Sequence, residues 1–208
     1  MRAALLLAVL AMLWPLLRCA SPAAAATPTF PALSGRIVDE AGLLSAADRA
    51  EIATLLRELE GKSSDQIVVV TLKSLQGLEI EDYGYQLGRH WGIGQAGKDN
   101  GALLIVAPAE RKVRIEVGRR LEPLLTDTMS SVIVNSSILP RFRRGDFSGG
   151  IRAGVTDMKD VLLGDVEAVK ERAKGGRSDG ELDWASLIFI AICSPLKAYP
   201  GNLDPNSN

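Results

Sequence analysis

Apolar positions recur at helical spacing through residues 45–60, where Ile52, Leu55, Leu56 and Leu59 form one stripe. Ser45 stands before the stripe as an N-cap, Asp48 holds the capping-box position, and Gly61 is the expected stop. The period then changes. Residues 66–72 contain Ile67, Val68, Val69 and Val70 in one unbroken run, the pattern of a strand covered on both faces. A second helix is expected over 80–90, opening on an acidic turn and ended by Gly92 and Gly94. Residues 101–107 read as another buried strand and 108–111 as a tight turn. From 112 to 117, Lys112, Arg114 and Glu116 alternate with Val113, Ile115 and Val117, a half-exposed strand closing a hairpin. Helices are expected over 128–139 and 147–163. The first two of these strands flank a crossover helix, so they should be parallel and joined in the right-handed sense. The third should run antiparallel to the second. The fold class is α/β, with a small mixed sheet between helix layers.

The two ends carry a different pattern. Arg2, the apolar run 3–17 and the small-residue stretch 19–26 have the order of a secretory signal peptide, with cleavage expected after one of Ala24 to Ala26. Arg18 before Cys19 argues against a lipidation site. The expected organisation is a signal peptide at 1–26, a linker at 27–34, the domain at 35–164, a polar linker at 165–183, an apolar segment at 184–193 and a polar tail at 194–208. The apolar segment is about half the ~20 residues a spanning helix needs, so it reads as a truncated membrane helix.

Composition narrows the chemistry. With 24 basic and 25 acidic residues, the chain lacks the basic excess of a nucleic-acid binder. Its 2 cysteines lie outside the expected domain, and His90 is the one histidine, so a multi-histidine or thiolate zinc site is excluded. Gly92, Gly94 and Gly97 have dinucleotide-loop spacing but follow a helix rather than a strand, so no dinucleotide cofactor is expected.

The hairpin suggests a site. Asp99 and Asn100 precede the second strand, and Gly118 and Arg119 follow the third, so all should lie at one edge of the sheet. Asp127, at the start of the next helix, can return there. Asp99, Asp127 and Glu122, completed by Asn100 and backbone carbonyls, would make a hard-oxygen shell suited to Ca²⁺ or Mg²⁺. The same residues are also an ordinary turn and an ordinary N-cap pair. Asp39 should approach the other end of the first strand as a turn or cap residue. His90 reads as a favourable charge at a helix C-terminus, Trp91 as a core anchor, and Arg141, Arg143 and Arg144 as a solvated or anion-attracting surface.

Several ordered segments together resemble the TPM domain family of YgcG-like exported proteins. They are 37–44 (IVDEAGLL), 91–94 (WGIG), 99–104 (DNGALL), 111–118 (RKVRIEVG), Leu121-Glu122, 125–127 (LTD), 144–147 (RGDF) and Gly150-Ile151. The resemblance implies a single α/β/α sandwich behind an export signal, in the periplasm or cell envelope. It implies an accessory or interaction role beside a membrane protein or membrane surface, with a divalent cation at an acidic cluster. The alternative it implies is a metal-dependent acid phosphatase, in which Asp99 and Arg119 are the catalytic candidates. One departure stands out: the family commonly has Gly-x-Gly-Leu-Glu where this chain has Gly118-Arg119-Arg120-Leu121-Glu122. If that turn requires positive φ, Arg120 would strain it.

Overall fold

A computed structural model describes residues 28–95 and 97–178. Its core is a four-stranded sheet in the order β1-β2-β3-β4, formed by Ile37–Asp39, Gln66–Thr71, Gly101–Ala107 and Lys112–Val117. The first three strands are parallel, and β4 is antiparallel to β3. Strands β2 to β4 fall where the apolar runs and the alternation place them. Strand β1 was not expected, because three residues are too few to show a period.

Side-chain parity sorts the sheet into two faces. Ile67 and Val69 of β2 lie with Ala102, Leu104 and Val106 of β3 and Ile115 of β4 in one continuous core. Helix α1 (Ala46–Ser63) adds Ile52, Leu56 and Leu59 to it. The long helical stretch after β4 and helix α5 (Phe147–Leu162) complete this face. The opposite face carries Val68, Val70, Leu103 and Ile105, and helix α2 (Ile80–Trp91) crosses it with Ile80, Tyr83 and Leu87 buried.

Helices α1 and α2 therefore lie on opposite faces, although β1 to β2 and β2 to β3 step across the sheet in one direction. Two parallel crossovers of that kind have opposite hands. The general right-handed preference holds for one of them and not for both.

Helix boundaries show local causes. Ser45 caps α1 by accepting from the Asp48 N–H. Gly61 does not stop the helix, which runs on to Ser63 and ends where Ser64 turns left-handed at φ 65°. Helix α2 ends at Gly92, whose φ is 58°. After β4 one helical stretch runs as α3 (Asp127–Ile133), a π-helical turn (Val134–Ile138) and α4 (Leu139–Arg143). Pro140 has no N–H to donate and its ring crowds the preceding turn, which the wider turn before it relieves.

The segment expected to be a polar linker, 165–183, instead begins with helix α6 (Val166–Ser178). Val169 is buried, and Arg172 pairs with Asp157 at 2.8 Å and Asp160 at 2.6 Å on α5. No helix among the described residues is long and apolar enough to cross a membrane. The segment 1–26 expected to be a signal peptide and the apolar stretch 184–193 expected to be a truncated membrane helix lie outside the described residues.

Candidate functional site: a glycine-walled cleft between α2 and β4

Two glycines one helical turn apart determine how α2 meets the sheet. A Cβ on Gly84 would lie 2.6 Å from Ile105 Cδ1 and 2.9 Å from Glu116 Cγ, so the missing side chain is what lets the helix approach. A Cβ on Gly88 would meet nothing within 4 Å. The helix is tight to the sheet at the first glycine and open at the second. Glycine in a helix costs about 0.5–1 kcal/mol relative to alanine, so both positions run against helix propensity.

Beyond Gly88 opens a cleft of ≈ 720 Å³ between α2, the 92–99 loop, the ends of β3 and β4 and the turn at 118–122. Tyr85 and Arg89 form part of its rim. The Arg89 guanidinium donates to the Tyr85 hydroxyl at 2.6 Å and sits 5.5 Å from the ring centroid. The floor is backbone laid against backbone. A Cβ on Gly101 would be 2.6 Å from the Ile93 carbonyl oxygen, and one on Gly118 would collide with the Asp99 carbonyl. That carbonyl accepts from the Arg120 N–H at 3.3 Å. Arg120 is not among the positive-φ residues, so the turn takes arginine without left-handed strain. Among the described lining residues the non-glycine with a left-handed backbone is Asp99, at φ 48°.

The expected ligand residues separate into three groups. Asp99, Glu122 and Arg119 line the cleft and are exposed, and their side chains have no hydrogen-bond or ion-pair partner among the described residues. Asn100 is 1% exposed and both polar atoms of its side chain are engaged: the oxygen accepts from the Gln95 N–H at 2.8 Å and the nitrogen donates to the Ser64 carbonyl at 2.7 Å. It braces the loop and is not turned to a ligand. Asp127 lies in a separate groove with Val113, Ile115, Ser130 and Asn135, on the other side of β4. The four-residue oxygen shell is therefore not assembled. Among the described residues no group of three or more His, Cys, Asp or Glu is placed to hold a metal ion.

The cleft also contains residues that the sequence reading passed over: Tyr85, Arg89 and Glu116. The signal was the pair Gly84 and Gly88 inside an otherwise regular helix, with Tyr85 and Arg89 at the same four-residue spacing. Among the described residues the lining offers carboxylate, guanidinium, amide and phenol groups, and no serine, threonine, cysteine or histidine. Such a set recognises charged or hydrogen-bonding ligands.

Other residues singled out by sequence lie elsewhere. Asp39 ends β1, opposite Thr71 at the far edge of the sheet. Its carboxylate accepts from the Leu43 and Leu44 N–H groups at 3.0 and 3.1 Å, from the Thr71 hydroxyl, and from Arg49 at 3.1 Å. Burial pushes its pKa up, but the Thr71 bond, the two backbone donors and the Arg49 charge outweigh that, and the net shift is down. Trp91 is half-buried and donates to the Pro31 carbonyl at 2.9 Å, a tether rather than a core anchor. His90 is exposed in the last turn of α2. Arg141 donates to the Ser137 carbonyl at 3.1 Å, while Arg143 and Arg144 are exposed.

A sequence-family profile described as the TPM domain matches residues 37–161. The N-terminal domain of a P. gingivalis protein is 37% identical, with a TM-score of 0.58, over 63% of this chain and 83% of that one. The N-terminal domain of a Corynebacterium glutamicum protein has a TM-score of 0.50 at 22% identity, over 69% of this chain and 87% of that one. The BA42 protein of Bizionia argentinensis has a TM-score of 0.51 at 21% identity, over 58% and 81%. The last two likenesses speak to fold alone. No curated protein matches the chain.

Proposed function

The chain belongs to the TPM domain family, and from that premise we propose that it works as an exported interaction module whose binding surface is the cleft between α2 and β4. One observation carries this reading: the cleft gathers Asp99, Glu122 and Arg119, three exposed charges with no partner among the described residues. Surface charges that stabilise a fold are usually paired or solvated singly, whereas an open concave site with convergent free charges is the default place for a ligand. The partner is a membrane protein or membrane surface of the cell envelope. The signal-peptide pattern at 1–26 supports export, and amino-terminal sequencing of the mature chain should begin near residues 25–27.

A Ca²⁺ or Mg²⁺ ion fits the cleft only in part. Asp99 and Glu122 would be its protein ligands, with water or an oxygen of the partner completing the shell, as is common for Mg²⁺. Asn100 and Asp127 are not needed for this. The test is thermal unfolding of the protein against increasing Ca²⁺ or Mg²⁺, since an ion that binds only the folded state stabilises it by about 2.7 kcal/mol at one hundred times its dissociation constant. Asp99→Asn with Glu122→Gln should remove the response, and Asp127→Asn should leave it intact. A response abolished by Asp127→Asn alone would move the site. No phosphate release from a generic phosphate ester is expected. Turnover that vanishes in Asp99→Asn would replace this reading with that of a metal-dependent phosphatase.

A further inference from the structure

Strand β4 lies at the end of the sheet order, with β3 on one side and no strand on the other among the described residues. The Gly118 N–H donates to the Gly101 carbonyl, which extends the β3–β4 register by one residue pair and sets its alternation. Counting from that pair, Lys112, Arg114 and Glu116 direct their backbone groups to β3. Val113, Ile115 and Val117 direct theirs outward. None of these three has a backbone hydrogen bond outside the ladder among the described residues. An edge of this kind is a template for another strand.

A second observation marks the same edge as unfinished. A groove of ≈ 260 Å³ runs beside it, lined by Val113, Ile115 and Ser130 among others. Ser130 is 8% exposed, and its hydroxyl is buried with no hydrogen-bond partner. Buried hydroxyls are nearly always bonded, so this one points to a missing neighbour.

The strand's own sequence says which neighbour fits. When two copies of β4 are placed antiparallel about Ile115, Val113 faces the second copy's Val117, and Ile115 faces its counterpart. These are the three residues whose backbone groups point outward, so the pairing closes both ladders at once. On the other face Arg114 falls opposite the second copy's Glu116, and Glu116 opposite its Arg114. Within one copy Arg114 already pairs with Glu116 and, at 3.4 Å, with Glu81. The two-fold would set four alternating charges together. A slip of the register by one residue would set outward backbone groups against inward ones, and a slip by two, which moves the two-fold axis by one residue, would set Glu116 against Glu116 or Arg114 against Arg114. We infer that β4 is a self-pairing edge, and that the protein forms a two-fold dimer with a continuous eight-stranded sheet. Such an interface is isologous and closed, so it consumes the β4 edge of both copies in one contact.

The test is sedimentation velocity on the full chain across a concentration series. The wild type should show a monomer–dimer equilibrium. Arg114→Glu and Glu116→Arg each place like charges across the two-fold, and each should weaken self-association by about tenfold or more. An equimolar mixture of the two restores opposite charges at both positions and should recover the dimer as a heterodimer. That recovery could not come from misfolded variants. Val117→Pro removes one outward donor without touching the β3 ladder and should also weaken the dimer. A wild type that stays monomeric at the highest concentration overturns the inference. So does a dimer indifferent to both charge reversals.

Discussion

Two aspartates at opposite ends of the sheet have opposite fates. The side chain of Asp39 is 3% exposed and gathers two backbone N–H groups, a hydroxyl and a guanidinium. Asp99 stands in the open at the mouth of a cleft and its side chain holds nothing. Both belong to motif segments that carry the family resemblance, so motif membership alone does not separate a structural carboxylate from one available to a ligand. Saturation does: every lone pair the fold uses is one a ligand cannot have.

The comparison can be broken most forcefully at Asp39. Asp39→Ala strips four donors of their acceptor in a half-buried loop and should lower unfolding stability by about 2–4 kcal/mol, read by denaturant titration. A loss below about 0.5 kcal/mol would mean that the loop finds other partners. Next comes Gly118→Ala, which drives a methyl against the Asp99 carbonyl; overpacking against backbone should cost about 1–3 kcal/mol and blunt any ligand response of the cleft.

A smaller effect is expected from acid. The folded-state pKa of Asp39 lies below its ordinary value of 3.8, so its stabilising contribution is complete above that value. It is lost as pH falls from there through the lowered folded pKa. Wild-type stability should therefore decline more steeply below pH 3.8 than that of Asp39→Asn, measured by chemical unfolding at each pH. The smallest effect belongs to Asp99→Asn. The side chain has no partner, and asparagine tolerates the left-handed backbone at φ 48° at least as well, so the midpoint should shift by less than about 0.5 kcal/mol equivalent. Equal losses at Asp39 and Asp99 would erase the contrast.

What could be read along the chain followed from period. The runs at Ile67 to Val70 and through β3, and the alternation in β4, fix their strands because each is long enough to repeat. Strand β1 escaped because Ile37–Asp39 shows no period, and α6 because its docking rests on Arg172 reaching Asp157, 15 residues back on another helix. The candidate site was legible in part. Hairpin logic brought Asp99 and the 118–122 turn to one edge, as found. It could not see that the chain then crosses to the other side of β4, which carries Asp127 into a different groove. Nor could residue type reveal that Asn100 is consumed by Gln95 and Ser64. The opposite hands of the two crossovers were equally invisible, since handedness depends on which face of α2 is apolar relative to the parity of β3.

Helix α6 has a mechanical consequence. It is fastened by Val169 and by the grip of Arg172 on Asp157, a carboxylate that also receives the Ser137 hydroxyl from the π-helical turn. Tension arriving from the C-terminal side of Ser178 meets that guanidinium before it meets Val169. Peeling α6 away would cost Asp157 and Asp160 their shared guanidinium and uncover Val169 in the same step, so the helix resists small loads and releases abruptly under larger ones, as a shear pin does.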